Sequence, residues 1–541
     1  MDVASAIQLI IHYYFMNNFS FKHIKSDLPA GLVVFLVALP LCLGVALASG
    51  APLISGVIAG AVGGIVVGLL SGSQLGVSGP AAGLTVIVLN AITEIGAYDS
   101  FLLAVVLAGI FQIILGALKA GVIGYYFPTS VIKGMLTAIG IIIILKQIPH
   151  AMGIDLDYEG DESFFQNDGQ NTFSELIRVT ELFNEGALMI GVISLGIMIL
   201  WEQPFIKKNK ILNMIPGALV AVIVGIILNT GLTILPSFFH LETNHLVALP
   251  VTNSLKDFSN LFQFPNFSAI SNPLIWKTAV VIAIIASLET LLSVEATDKL
   301  DTDSRITPTN QELLAQGAGN IVSGFLGGLP LTQVIVRSSA NIHAGGKTNL
   351  STIIHGLILL ICTLTIPTIL NQIPLASLAI VLIMVGYKLA KPSIFKEVYK
   401  EGHDQFVPFL VTVIAVVLTD LLKGIGIGVF VAMCYILYTN YKGSISFMRD
   451  KKNVLIQFNK DIFYINKPEL KQKLASLQEG DFVFIDGTKA SFIDHDIFIT
   501  LEEFQREVKV RNIEVEFKGI SRKKLNYRQS NAVVSKTIIS E

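Results

Sequence analysis

Long apolar runs fill the chain from about residue 29 to residue 445, and short polar or glycine- and proline-containing breaks separate them. Apolar runs of about 17–25 residues are long enough to cross the hydrocarbon core of a bilayer as helices. The pattern therefore predicts fourteen membrane segments, near residues 30–49, 53–71, 80–97, 100–118, 122–147, 187–203, 214–233, 274–297, 312–326, 331–343, 350–371, 373–390, 405–420 and 424–441. Two of them, 80–97 and 331–343, follow glycine–proline breaks and are predicted to be partial spans.

The pattern changes after about residue 452, where short apolar runs alternate with polar residues. This alternation of strands and helices predicts a small soluble α/β domain. The predicted strands are Val454–Phe458, Ile462–Ile465, Phe482–Ile485 and Ile513–Phe517, and the predicted helices are Leu470–Leu477 and Ile497–Val508. We therefore divide the chain into an N-terminal interfacial segment (1–25), a membrane domain (26–445) and a C-terminal domain with a polar tail (453–541).

Loop charges predict the orientation in the membrane. Basic clusters follow the sixth, twelfth and fourteenth segments, which lie on one side if the segments alternate. Basic loops stay in the cytoplasm, so both termini are predicted to be cytoplasmic, in a cytoplasmic (inner) membrane. The loop 148–186 is rich in aspartate and glutamate and is predicted to be external. The charged stretch Glu295–Glu312 is predicted to be mostly a cytoplasmic helix end and loop.

Composition narrows the class of protein further. Hydrophobic residues make up 52% of the 541 residues and charged residues 14%, which argues against a soluble protein. The net charge is -2 without a long basic block, so nucleic acid is not an expected partner. The chain has no phosphate-binding loop, no H-E-x-x-H pattern and no metal-ligand spacing of its three cysteines. We therefore expect neither an enzyme nor a resident cofactor.

Two broken segments resemble each other: Ser78–Ile87 and Gly327–Val336. In each, glycine and proline interrupt the backbone and a short apolar helix follows, predicted to begin near Pro80 and Pro330. A helix that begins inside a membrane presents free N–H groups and the positive end of its dipole, which together bind an anion. The alternative interpretation is an ordinary kink at a helix contact, since glycine is common in membrane spans.

Charged residues within apolar segments are functional candidates. Glu289 lies deep in segment 274–297, and Ser293 lies four residues later on the same helical face. Together they could ligate Na⁺, or burial could lead Glu289 to carry a proton; the alternative is a structural hydrogen bond. Arg337 follows the second break. It could supply positive charge to an anion, reach the membrane surface as an end-of-helix residue, or pair with Glu289.

These residues together resemble the SulP family of anion transporters: Leu36–Gly44, Ser78–Thr85, Glu289 and Gly327–Ala340. The C-terminal domain resembles a STAS domain. The resemblance implies a 7+7 inverted repeat with core and gate subdomains, an anion site between helices 3 and 10, elevator-like movement of the core against the gate, and a homodimer. The stretches Ser287–Ser293 and Ala344–Thr348 look closest to the bacterial bicarbonate-type branch.

The resemblance also implies roles for particular residues. Those at or near the two helix starts are implied to contact the anion: Thr85, Leu331, Thr332, Gln333 and Val334. Pro40 and Cys42 would border the site from the first helix. Glu289 matches an acidic coupling position and Ser293 a hydroxyl ligand of sodium-coupled members. Those members tend to have aspartate at the position of Glu289, so protons remain open as the coupling ion.

The STAS resemblance departs from the family pattern at one point. Regulatory STAS domains present a phosphorylatable serine after an aspartate, but here the run Phe492–Asp496 places His495 or Asp496 at that position. Packing, dimer contacts or partner binding is therefore the expected role of this domain.

The predicted function is secondary active transport of bicarbonate, or of a similar oxyanion such as sulfate, coupled to Na⁺ or H⁺ through Glu289. Two alternatives stay open: a proton-coupled sulfate or dicarboxylate carrier, and a passive anion channel or membrane anchor that presents the STAS domain. A buried carboxylate favours coupling to an ion, which a channel or an anchor does not need.

Overall fold

The structure, a computed structural model, describes residues 21–155, 171–174, 176, 183–209, 212, 215–232, 240–249, 251, 262–508 and 510–520. Most of the predicted N-terminal segment, most of the acidic loop and the polar tail lie outside the described residues. The chain divides into two compact units, Met1–Ala432 and Met433–Glu541, which are described separately.

In the described residues, fourteen helices coincide with the fourteen predicted segments. They are α1 (Ile24–Ala48), α2 (Leu53–Leu70), α3 (Thr85–Ile95), α4 (Tyr98–Ala117), α5 (Thr129–Ala151), α6 (Glu185–Trp201), α7 (Gly217–Leu232), α8 (Pro273–Leu300), α9 (Thr309–Leu326), α10 (Ile335–His343), α11 (Leu350–Thr365), α12 (Leu375–Leu389), α13 (His403–Leu418) and α14 (Leu421–Tyr441). Shorter helices such as Pro204–Lys208 and Pro392–Glu401 lie between them.

Length and hydropathy separate these helices into groups. Seven helical spans of at least 18 residues in the described chain are apolar enough to cross a membrane: α1, α2, α4, α5, α8, α14, and α12 taken with the helix Pro392–Glu401. Five shorter apolar helices contain α3, α6, α7, α11 and α13. The remaining two, α9 and α10, carry buried polar side chains.

The two breaks differ from the prediction. Helices were predicted to begin near Pro80 and Pro330, but α3 begins at Thr85 and α10 at Ile335. The residues before them form two three-residue strands, β1 (Ser78–Pro80) and β2 (Leu331–Gln333), which pair antiparallel. Backbone N–H and C=O groups without a partner are very costly inside a membrane, and the pairing supplies partners that an isolated extended segment lacks.

Close helix contacts surround this strand pair. Gly109 of α4 and Gly317 of α9 face each other, and a Cβ built on either would lie 2.5 or 2.6 Å from the carbonyl oxygen of the other. Glycine at both positions therefore lets the two helices approach backbone to backbone. This contact holds α9 beside α4, with the polar face of α9 directed at β1 and β2.

The C-terminal unit contains a four-stranded sheet in the order β3 (Ile445–Asp450), β4 (Asn453–Phe458), β5 (Phe482–Asp486) and β6 (Glu514–Lys518). Strands β3 and β4 are antiparallel, and β4, β5 and β6 are parallel. Helices α15 (Lys467–Ala475) and α16 (His495–Glu507) lie in the connections between the parallel strands. Alternate residues of β4 and β5 are buried, as expected of half-buried strands.

Two expectations for this unit are wrong. Strand β3 was not predicted, because its last three residues are exposed and its Arg449 was grouped with the basic residues that follow α14. The segment Ile462–Ile465 was predicted to be a strand, but Ile462 makes a single bridge to Ile493. A 3₁₀ turn, Tyr464–Asn466, follows, and the Asn466 side chain accepts a hydrogen bond from the Phe463 N–H at 3.1 Å. This local hydrogen bond favours a turn at the position where a strand was predicted.

Candidate functional site

Strands β1 and β2 place the two breaks against each other. Ser78 pairs with Gln333, Gly79 with Thr332 and Pro80 with Leu331. All six residues are buried. Each strand is followed within five residues by the N-terminus of a short helix, so the positive ends of α3 and α10 both lie close to the strand pair.

Helix α9 fixes β2 through side chains that sequence reasoning did not single out. The side chain of Asn320 accepts a hydrogen bond from the Leu331 N–H at 2.7 Å and donates one to the Leu331 carbonyl at 3.0 Å. The amide of Gln316 donates to Ser78 Oγ at 2.6 Å, and the Ser323 hydroxyl donates to the Leu329 carbonyl at 2.7 Å. The polar face of α9 therefore completes the backbone pairing of the strands.

Helix α8 holds the other side of β2. The Gln333 N–H donates to Thr290 Oγ1 at 3.3 Å, and the Gln333 side chain donates to Thr297 Oγ1 at 3.0 Å. The Thr297 hydroxyl in turn donates to the carbonyl of Ser293 at 2.6 Å. This chain of bonds connects the predicted anion residue Gln333 with the predicted cation residue Ser293.

The Glu289 carboxylate of α8 lies at the start of α3. Its residue is 7% exposed, and a Cβ built on Gly83 would lie 3.1 Å from each of its two carboxylate oxygens. A negative charge beside a helix N-terminus is stabilised by the helix dipole. The carboxylate therefore occupies part of the electrostatically positive region that an anion at α3 would use.

Arg337 is completely buried in the first turn of α10. Its Nη2 lies 3.5 Å from the Pro80 carbonyl oxygen, and its guanidinium also interacts with the Cys42 thiol of α1. A Cβ on Gly79 would overlap the guanidinium, so a larger residue there would displace Arg337. Arg337 therefore does not reach the membrane surface, and in the described residues it forms no ion pair with Glu289.

The predicted site residues are not all brought together. Strand β2 consists of three of them, Leu331, Thr332 and Gln333. Arg337 and Cys42 lie beside the strand pair. Thr85 and Glu289 lie at the start of α3, where the Thr85 hydroxyl donates to the Ala82 carbonyl at 2.7 Å. Val334 is half-buried between β2 and α10, and its N–H donates to the Val77 carbonyl.

Pro40 lies elsewhere, in a cavity lined also by Leu43, His150, Asp155 and Leu375. There Asp155 lies 2.5 Å from Nδ1 of His150 and 2.6 Å from Nδ1 of His245. Burial raises the pKa of the Asp155 carboxyl, but the hydrogen bonds from the two histidines outweigh burial and hold that pKa below its usual range. This cluster joins the end of α5 to the segment before α8.

The main residues missed by sequence reasoning lie on one face of α9: Glu312, Gln316, Asn320 and Ser323. Their spacing of four, four and three residues was a readable signal, since polar residues at that spacing share one side of a helix. The stretch Glu295–Glu312 contains the end of α8 and a loop, as expected, and its last residue, Glu312, lies in the first turn of α9, where it is 1% exposed.

A metal site of several acidic or imidazole ligands is not present in the part of the chain that the structure describes, where no group of three or more histidine, cysteine, aspartate or glutamate side chains could hold an ion. A cation at Glu289 would therefore draw its further ligands from hydroxyl and carbonyl oxygens, which suit Na⁺.

A multi-pass arrangement of apolar helices, with two interrupted helices meeting around a buried arginine, defines a polytopic helical membrane transporter. The chain belongs to the Sulfate permease (SulP) family, whose model matches residues 24–415. It is therefore a membrane-embedded anion transporter of this family, and its substrate is an inorganic anion.

Similar proteins carry both sulfate and bicarbonate names. The chain is 26% identical over 506 residues to the putative sulfate transporter YbaR of Bacillus subtilis, covering 93% of this chain and 96% of that protein. It is 28% identical over 425 residues to the bicarbonate transporter BicA of Picosynechococcus sp., covering 77% of this chain and 70% of that protein.

Solved structures show the same fold. The transmembrane domain of a cyanobacterial bicarbonate transporter BicA matches with a TM-score of 0.53 and 22% identity, covering 77% of this chain and 98% of that one. Murine Solute Carrier 26 family member A9 in the inward-facing state matches with a TM-score of 0.66 and 17% identity, covering 96% of this chain and 90% of that one. The C-terminal sheet of the present chain is compatible with a STAS domain.

Proposed function

We propose that this chain is a secondary active transporter of bicarbonate, coupled to Na⁺ or H⁺ through Glu289. The anion binds where α3 and α10 begin, beside Arg337, Thr85 and the residues Leu331–Val334. The protein works in a cytoplasmic membrane as a homodimer, with both termini in the cytoplasm.

The observation that carries this proposal is the placement of two opposite charges around one short segment. Arg337 abuts Gly79 and Pro80, and Glu289 abuts Gly83. A ligand of opposite charge lowers the free energy of a buried charged group. An anion beside Arg337 and a cation beside Glu289 would each meet a charge of opposite sign.

Coupling follows from this arrangement. Without a cation, the negative Glu289 at the start of α3 repels an arriving anion. A bound Na⁺ or H⁺ neutralises that charge and leaves the positive end of α3 available. Each ligand then favours the other, with an expected coupling of about 1–3 kcal/mol, or roughly 5–150-fold in affinity.

The charge count favours bicarbonate over sulfate. Arg337 is the fixed positive side chain beside the strand pair in the described residues, and one guanidinium matches a monoanion. One guanidinium neutralises only half the charge of a dianion such as sulfate, and a proton-coupled carrier supplies further positive charge by bringing protons with its substrate. Proton-coupled sulfate or dicarboxylate transport is therefore the second candidate, favoured by the sulfate names of several relatives.

Two cavities support an alternating-access, elevator-type movement. One lies between the N-terminal half of α1, the end of α10 and helices α6, α7 and α12, and its lining includes Val33, His343 and Lys388. The other lies at the opposite end of α1 and α12, beside Pro40 and Leu375. Both cavities lie between α1 and α12, at opposite ends of these helices. A sliding movement of α1 and α10 against α12 would therefore open one cavity and close the other.

Competition in proteoliposomes tests the substrate. Purified protein should take up labelled bicarbonate, and unlabelled bicarbonate should compete more effectively than sulfate or a dicarboxylate at equal concentration. Stronger competition by sulfate, together with uptake that requires an inward proton gradient, would favour the second candidate. Uptake of no anion under any gradient would favour a membrane anchor for the C-terminal unit.

A further inference from the structure

A second carboxylate, distinct from Glu289, is buried near the strand pair. Glu312 is 1% exposed in the first turn of α9. The Ser71 hydroxyl at the end of α2 makes a short hydrogen bond to its Oε2, and the Gln316 amide donates to its Oε1 at 2.8 Å. The side chain is therefore enclosed by neutral hydrogen-bonding groups.

The charged groups around Glu312 would not neutralise a negative charge on its carboxyl group. The charged group that acts on it in the described residues is the carboxylate of Asp298 on α8, which has the same sign. Asp298 is bound in turn by the Thr307 N–H at 2.7 Å and the Thr307 hydroxyl at 2.6 Å. These two donors fix the Asp298 carboxyl group in place, so no group of opposite charge is among those that act on Glu312 in the described residues.

The other elements packed on this part of α9 contribute neutral groups. The 3₁₀ turn Ala120–Tyr126 brings the Tyr125 hydroxyl to 3.5 Å from the Thr309 hydroxyl, and α4 contributes Gln112. In the described residues, no salt bridge involves Glu312. Burial away from water without an ion pair in the described residues favours the neutral form of this carboxyl group, and it opposes the hydrogen bonds from Ser71 and Gln316, which favour the ionised form.

We propose that Glu312 is a proton-binding site, filled in the resting protein and linked to the anion site through Gln316 and Ser78. The Gln316 amide donates both to Glu312 Oε1 and, at 2.6 Å, to Ser78 Oγ. Ser78 pairs with Gln333 in the strand pair. When Glu312 loses its proton, its hydrogen bond with the Gln316 amide changes and Gln316 moves. Because the same amide donates to Ser78 Oγ, this movement changes the position of Ser78.

The proton exchange involves no other covalent step. The carboxylate of Glu312 takes H⁺ from a hydronium ion, which becomes water, and on release the H⁺ returns to water to form hydronium again. The link to the anion rests on the proposed function, since it requires that the anion bind at the strand pair. Because linkage is reciprocal, a proton on Glu312 and an anion at the strands then change each other's affinity by the same factor.

Infrared spectroscopy tests the proton directly and needs no transported substrate. Near neutral pH, the wild-type protein should show the carbonyl-stretch band of a protonated carboxylic acid, and a component of that band should vanish in Glu312→Gln. Asp298→Asn is the matched control on the neighbouring helix and should retain that component, because it leaves the Glu312 carboxyl group in place. A band unchanged by Glu312→Gln would overturn the proposal.

A second variant keeps the test decisive if Glu312→Gln does not fold. Ser71→Ala removes one hydrogen-bond partner of the carboxyl group, so the same component should shift in frequency. An unshifted band in a folded Ser71→Ala protein would overturn the proposal, because the carboxyl would then not be the one that Ser71 contacts.

Anion titration as a function of pH tests the linkage. The anion affinity of the wild type should change by about 5–150-fold across the titration of its proton sites. Glu312→Gln should lose the contribution of Glu312 to this pH dependence, and Glu289→Gln should retain that contribution. An unchanged pH dependence in Glu312→Gln would overturn the linkage even if the infrared component vanishes. Failure of both variants and wild type to bind any anion would instead contradict the proposed function, and the infrared result would still stand.

Discussion

The carboxylate of Glu289 in α8 lies against Gly83, immediately before α3, close enough that a Cβ on Gly83 would be 3.1 Å from each carboxylate oxygen. The two residues are more than 200 positions apart in the sequence, and tertiary packing brings α8 to the start of α3. A negative side chain is thus held at the positive end of a helix, and we propose that an anion binds beside it.

Gly79→Ala should disturb the position of Arg337. The added methyl group overlaps the guanidinium, and overpacking of a well-packed interior costs about 1–3 kcal/mol. Thermal unfolding in detergent should show lower stability, and anion titration should show weaker binding. Gly196→Ala on α6 is the control, because nothing lies within 4 Å of its added Cβ. Equal anion affinities in the two variants would show that Arg337 is not part of the anion-binding site.

Asn320→Ala should loosen β2. It leaves both the N–H and the carbonyl of Leu331 without their side-chain partner, and each buried unsatisfied group costs about 1–3 kcal/mol. Stability and anion affinity should both fall. Asn310→Ala is the control, since Asn310 accepts a hydrogen bond from the Gly121 N–H at 2.9 Å, away from the strands. It should lower stability alone. Anion affinity that survives Asn320→Ala would show that the strand pair does not form the site.

Ser293→Ala should identify the coupling ion. If Na⁺ is the driver, loss of a hydroxyl ligand should weaken sodium dependence about tenfold or more, because a polar contact to a charge contributes roughly 1.5–3 kcal/mol. If H⁺ is the driver, the variant should follow a pH gradient as the wild type does. Ser287→Ala removes a hydroxyl of the same helix that Gln112 contacts, and it serves as the control. Uptake measured at varied sodium concentration distinguishes these results.

Ending the chain at Lys442 should leave anion binding intact. The cut removes β3 together with β4, whereas a cut near residue 452 would leave β3 without its partner. All proposed anion and coupling residues lie between Pro40 and Arg337, so affinity should be retained while assembly or transport rate falls. A truncated protein that elutes as a folded species but has no measurable anion affinity would contradict this assignment.

The positions of the membrane helices were readable from the sequence because long apolar runs have few alternatives in length or structure. The strand pair was not readable. Three residues are too few to show a period, and β1 and β2 exist only because they pair across more than 250 residues. The glycine and proline residues located both breaks, but they placed the helix starts about five residues too early.

The candidate site was predicted in part. Glu289 and Arg337 stood out as charges in apolar segments. That Glu289 lies beside Gly83 and Arg337 beside Pro80 depends on tertiary packing and could not be predicted. Glu312 was not singled out because it ends the charged stretch Glu295–Glu312, although its four-residue spacing to Gln316 and Asn320 marked a polar helix face. Periodicity was the better guide to this residue.

Gradient-driven uptake in wild type and Glu289→Gln tests the central claim most directly. Glu289→Gln keeps the size and hydrogen-bonding capacity of the side chain and removes its charge; Glu295→Gln, on the same helix and paired with Lys299 at 3.4 Å, is the control. In proteoliposomes, wild type and Glu295→Gln should accumulate labelled bicarbonate above its equilibrium level when a sodium or proton gradient is imposed. Glu289→Gln should exchange bicarbonate without responding to either gradient. Accumulation by Glu289→Gln with the same dependence on the gradient as wild type would contradict the account.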